Sequence, residues 1–177
     1  MNLFAKLLAA AAAVLVVAVV GYQVLPRVGG QGGQLTVAPS PSPAVLARGT
    51  FTVRVGDGYT VEIDATRRAS SVSGSMVVSQ TTKGGYTVDL ECTRTIEGLL
   101  WIGGDVTQST NSVAPAGTRA AIVFKRGSPV KAIFAWQGND ARSASCQSFF
   151  DDMIATEGTA GIQAGMEPID GSVELGP

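Results

Sequence analysis

The chain has 177 residues, a formal net charge of −1, 15% charged residues and no histidine. Charge this close to neutral provides no basic face for nucleic acid or for an anionic surface. The missing histidine removes the usual general base, the serine-histidine and cysteine-histidine dyads, and most zinc or copper sites. No metal, no cofactor and no enzymatic activity are therefore expected.

In chain order, the first element is an apolar run from Leu7 to Val20, preceded by Lys6 and followed by Pro26-Arg27. Read as a helix, Leu3 to Leu25 rises about 34 Å, enough to cross a hydrocarbon core of about 30 Å. Lys6 and Tyr22 suit the two interfaces, and the positive end holds the N-terminus in the cytoplasm. The same residues also fit a cleavable signal peptide, although no A-x-A motif follows Val20. A run this long without a polar face does not suit a soluble helix. No cysteine stands in it, so a lipid-modified N-terminus is not expected. The anchor is the preferred reading over residues 1–27. It implies a single-pass protein of the cell membrane with its C-terminal domain outside; secretion after cleavage is the alternative.

Residues 28–43 read as a linker. Gly29-Gly30-Gln31-Gly32-Gly33-Gln34 is flexible, and Pro39-Ser40-Pro41-Ser42-Pro43 favours extended polyproline geometry. Neither stretch has enough apolar surface to offset the entropy of ordering it.

Residues 44–177 suffice for one domain with a single core. Here the apolar period is two. Phe51, Val53 and Val55 alternate with polar residues, and after Gly56-Asp57-Gly58 so do Tyr59, Val61, Ile63 and Ala65. That alternation buries one face of a strand, and the short glycine turn makes the pair a hairpin. Further strands are expected over Val72 to Thr81, Tyr86 to Ile96, Leu99 to Ser109, Arg119 to Arg126, Val130 to Gln137 and Ser172 to Leu175. About eight short strands joined by tight turns indicate an all-β, antiparallel small barrel, with a β-sandwich as the alternative. One short helix is expected, capped by Ser148 with Asp151 completing a near capping box, carrying Phe149, Phe150, Met153 and Ile154, and ended by Gly158. It is placed across one end of the barrel.

Two cysteines in an exported domain pair, so a Cys92–Cys146 disulfide is expected to pin the helix to the sheet. Cys92 shares the Tyr86-Val88-Leu90 face, read as inward, and Arg94 continues that face. An inward arginine at the barrel mouth is the candidate ligand residue, suited to a carboxylate or phosphate. Glu62 with Asp64, and Asp89 with Glu91, are carboxylate pairs of a kind that glycosidases use, but both fall on the wet face. Asp151-Asp152 lacks a calcium loop around it, and Gly103-Gly104 lacks a nucleotide-binding pattern, so these glycines are read as relieving a bend. Leu99-Leu100-Trp101-Ile102 is apolar on both faces and needs a cover on its outer side.

The stretch from Val88 to Val106, with Cys92 on one strand, Glu97-Gly98 at the turn and Trp101-Ile102-Gly103-Gly104 on the next, resembles a hairpin of uncharacterised secreted bacterial β-proteins. The upstream Val72-Ser73-Gly74-Ser75-Met76 strand fits the same pattern. Those proteins carry Gly-Asn at the turn where this chain has Glu97-Gly98. The resemblance implies a secreted β-fold and brings no activity and no site residues.

Three functions are weighed on these residues. The preferred one is a non-catalytic, membrane-tethered domain that binds a protein partner or an envelope component. The second is a barrel carrier of a small apolar or amphiphilic ligand, and the third a carboxylate-based hydrolase.

Overall fold

A computed structural model describes residues 42–56, 58–137 and 145–177. The anchor expected over 1–27 and nearly all of the linker expected over 28–43 lie outside the described residues. Among the described residues no helix is long and apolar enough to cross a membrane.

Eight antiparallel strands close into a barrel in sequence order. They are β1 (Ala44–Val53), β2 (Tyr59–Arg68), β3 (Ser71–Gln80), β4 (Gly84–Ile96), β5 (Leu99–Ser109), β6 (Arg119–Lys125), β7 (Lys131–Trp136) and β8 (Glu167–Leu175). The barrel is the arrangement found, and not the sandwich. β8 pairs with β1 over seven positions, from Ala47↔Leu175 to Val53↔Ile169. Closure removes the open edges that a flat meander would leave for aggregation. The β4–β5 hairpin turns through Glu97 at φ 48° and Gly98 at φ 79°. Two successive left-handed residues match the twist of the flanking strands, and glycine adopts the second without strain.

β1 and β8 are both longer than their apolar alternation indicates. β1 begins at Ala44 rather than Phe51, because a register shift between Val45 and Ala47 puts both Leu46 and Ala47 in the core. An extra residue of that kind breaks a period-two pattern while the strand continues.

The barrel interior is filled by side chains. Phe51, Ile63, Met76, Val88, Ile102, Ile122 and Phe124 are each no more than 2% exposed, and Tyr59, Phe134 and Trp136 complete the packing. Phe51 meets Phe124 edge-on at 5.7 Å between ring centroids, and Tyr59 meets Phe134 at 5.2 Å. Residues around a water-sized void would show accessible area, and the first seven show at most 2%.

At one end Trp136 Nε1 donates to Tyr86 Oη at 2.9 Å. Burial pushes the Tyr86 phenol well above its ordinary value of 10.0; the bond from Trp136 pulls it down, and Tyr59 adds a smaller push upward. Below pH 10 the phenol is protonated in both folded and unfolded chains, so its contribution is intact. Above that, the unfolded chain loses the proton and the folded chain keeps it, so stability falls by up to about 1.4 kcal/mol per pH unit. Urea midpoints between about pH 9 and about pH 11 check this, with Tyr86→Phe flattening the fall. An equally steep fall in that variant would assign the effect elsewhere.

The helix differs from expectation in three ways. α1 spans Cys146–Ala164, its N-cap is Ser145, and Gly158 (φ 67°, ψ 154°) breaks it without ending it. Ser148 N donates to Ser145 Oγ at 3.0 Å while Ser145 N donates to Ser148 Oγ at 2.9 Å, a reciprocal capping box one turn earlier than Ser148 itself would start. α1 also does not cross the barrel end. It lies on the outer wall, where Phe149, Phe150 and Ile162 form a second apolar cluster with Leu99, Trp101, Val123 and Ala135. This explains the composition of β5, β6 and β7. Covered on both faces, they read as continuous apolar runs, whereas β2 and β4 show clean alternation.

Candidate functional site at the helix-covered wall

β4 carries the local irregularity that builds this wall. Leu90 pairs with Gly104, but the next pair is Cys92 with Gly103, leaving Glu91 as an extra residue. A one-residue slip moves every later side chain to the opposite face. Leu90 therefore packs in the barrel interior, while Cys92 packs in the outer cluster beneath α1. The inward reading of Cys92 and Arg94 is corrected by this bulge.

Arg94 pairs with Trp101 across the hairpin and reaches Asp151 of α1, Nη1 to Oδ1 at 2.5 Å. It does not line a barrel mouth, and its charge is committed to the helix. With the two side chains 44% and 62% exposed, such a pair contributes at most about 1 kcal/mol. Its role in the geometry is to help position α1.

Cys92 and Cys146 form a disulfide, with Cα atoms 6.1 Å apart. Beside it, Gln147 Nε2 donates to the Thr93 carbonyl at 3.3 Å. Farther along, Lys125 Nζ donates to Gln163 Oε1 at 3.2 Å. These contacts hold the helix from its first turn to its last.

Glycines let the layers approach. A Cβ on Gly103 would stand 3.0 Å from Phe150 Cε1, so this residue gives the helix its seat. A Cβ on Gly104 would stand 1.8 Å from the Asp89 carbonyl oxygen, a clash with the bulged strand. The bend read from Gly103-Gly104 is thus two separate requirements, one on each side of the wall.

Between α1 and the wall lies a cleft of about 170 Å³. Trp101, Val123, Ile133 and Ala135 line it from the strands, and Met153, Gly161 and Ile162 from the helix. Glu157, solvent-exposed, is its one charged lining residue. Trp101 forms the floor at 1% exposure, 5.3 Å from the Phe150 ring. Its buried Nε1 finds no acceptor among the described residues. The lining is apolar apart from Glu157, and the Trp101 nitrogen is buried beneath it, out of reach of solvent.

The remaining candidates lie apart from this wall. Glu62 and Asp64 are exposed on β2, and Asp64 is held by Arg48 at 3.0 Å. Glu91 is bonded by Arg119, which also reaches Asp105 at 3.3 Å. Glu62 and Asp64 share an open depression on the outer face with Arg48, Ser75 and Val77, where Asp64 is already paired with the arginine. Among the described residues no three histidine, cysteine, aspartate or glutamate side chains gather as a metal site would require.

The cleft was not legible from single residues. Its signal was the doubly apolar run of β5 to β7 together with Phe149-Phe150, which state that a helix must cover strands. They do not state how closely it fits. No family model matches this chain, and no curated protein and no solved structure matches it either.

Proposed function

We propose that this protein is a non-catalytic β-barrel module, tethered to the cell membrane through residues 1–27 and a spacer over 28–43, that binds a protein partner or an envelope component outside. The observation that carries the reading is the filled barrel interior. Phe51, Met76, Ile122 and Phe124 occupy the volume that a carrier would leave for its ligand. Binding is thereby moved to the outer surface, and the interior carrier loses its support. A carboxylate hydrolase has as little, because the carboxylate pairs stand in water and the nearest cations already hold two of them.

The tether draws its support from the apolar run Leu7 to Val20 with Lys6 before it. Cells carrying the chain with a C-terminal epitope, fractionated and treated with external protease, test it. A tag in the membrane fraction that external protease removes, on a chain of full mass, is the expected result. A shortened chain in the medium would replace the tether with secretion after cleavage. A tag protected from protease would overturn the exported reading altogether.

A further inference from the structure

We infer that the end of the barrel where β1 begins is a docking face for anionic phospholipid headgroups. The inference rests on the membrane tether proposed above and deepens it by assigning the side of the domain that meets the bilayer.

Topology collects the face. In this up-and-down barrel the β2–β3, β4–β5 and β6–β7 turns share one end with the start of β1 and the close of β8. Arg67 and Arg68 end β2 there, with Arg67 opposite Ala44. Lys125 ends β6, Arg126 follows it, and Lys131 opens β7 opposite Lys125. Two strands separate these groups in either direction around the barrel, so they stand on opposite sides of its end. The net charge of −1 conceals this sorting, because it counts charges without placing them.

Ion pairing separates these cations from the others. Arg48, Arg54, Arg94 and Arg119 each meet a carboxylate, whereas Arg67, Arg68, Lys125, Arg126 and Lys131 meet none among the described residues. Lys125 donates to the Gln163 side-chain oxygen and Arg126 to the Leu175 and Gly176 carbonyls, neutral acceptors that leave both charges in place. All but the half-buried Lys131 are exposed. The carboxylates in the turns and strand ends here are Glu97 and Glu174, and Glu174 stands opposite Arg48. The five cations therefore dominate the local field. Attachment favours a membrane as the partner. The spacer over 28–43 joins the domain at this same end, and as a coil it spans roughly 20–24 Å. So short a tether keeps headgroups at high local concentration, and each cation at an anionic surface adds about a fivefold gain.

The test uses the full chain in nanodiscs of phosphatidylcholine alone or with phosphatidylglycerol added, both doped with a gadolinium-chelate lipid. In the anionic discs, relaxation broadening is expected at the amides of Arg67, Arg68, Lys125 and Arg126. The amide of Lys83, in the β3–β4 turn at the opposite end, stays sharp. Neutral discs, or salt that shortens the Debye length to about 3 Å, remove the broadening. Arg67→Gln with Arg68→Gln is expected to lower the ratio of docked to undocked domain by at least about tenfold, with Lys83→Gln leaving it unchanged. Amide spectra that match the parent verify the fold of each variant. Equal broadening in neutral discs, broadening at Lys83, or an unchanged double variant would each overturn the face. Shifts at these turns with polyphosphate but none with anionic discs would assign it to a soluble phosphate polymer and overturn lipid docking. A chain that leaves neutral discs overturns the tether and docking with it. One retained in both kinds of disc without the lipid effect overturns docking alone.

Discussion

Replacing Cys92 and Cys146 together with alanine is expected to lower the unfolding free energy by about 4 kcal/mol. The two cysteines are 54 residues apart in sequence, and closing so long a loop in the unfolded chain removes entropy worth about that much. In a domain of this size the loss lowers the melting temperature by roughly 10–20 °C. The bond joins the first turn of α1 to the middle of β4, so its removal loosens the outer wall before the barrel. Trp101 fluorescence should therefore change at lower urea than Trp136 fluorescence, which reports on the interior. Coincident transitions with a loss under about 1 kcal/mol would mean that the apolar cluster alone docks the helix.

Phe124→Ala carries the other large effect, a loss of about 3–5 kcal/mol in urea unfolding. Phe124 is wholly buried in the barrel interior and meets Phe51 edge-on. Truncating it leaves a cavity that the closed strands cannot collapse, because each is paired on both sides. Val77→Ala on the outer face, 42% exposed, is the control and should stay within about 0.5 kcal/mol. A loss under about 1 kcal/mol for Phe124→Ala would mean a loosely packed interior, and the carrier reading would return. The same measurement thus tests both the fold's centre and the functional argument that rests on it.

Much of the barrel was legible because its signals are local. Tyr59, Val61, Ile63 and Ala65 alternate on β2, and Glu97-Gly98 supplies the left-handed turn for the hairpin after β4. The cysteine pair was legible too, since only two cysteines exist and the chain is read as exported. Arg94 was misplaced for a reason that no alternation count reveals. The bulge at Glu91 is a choice of pairing between strands, and its trace in the sequence is Gly104 on the opposite strand. The helix was misplaced for a related reason. Phe149, Phe150, Met153 and Ile154 state that a face must be buried, and only the covered wall states where.

By itself, then, the sequence determined the strand periods, the tight turns, the single cysteine pair and the absence of histidine chemistry, because each depends on neighbours along the chain. Tertiary structure alone decided which face Cys92 and Arg94 occupy, that α1 lies along the wall instead of across the barrel end, and that a small apolar cleft remains beneath it. Those outcomes depend on register and on packing between residues far apart in sequence, where a shift of one residue reverses the face and a single methyl group closes the gap.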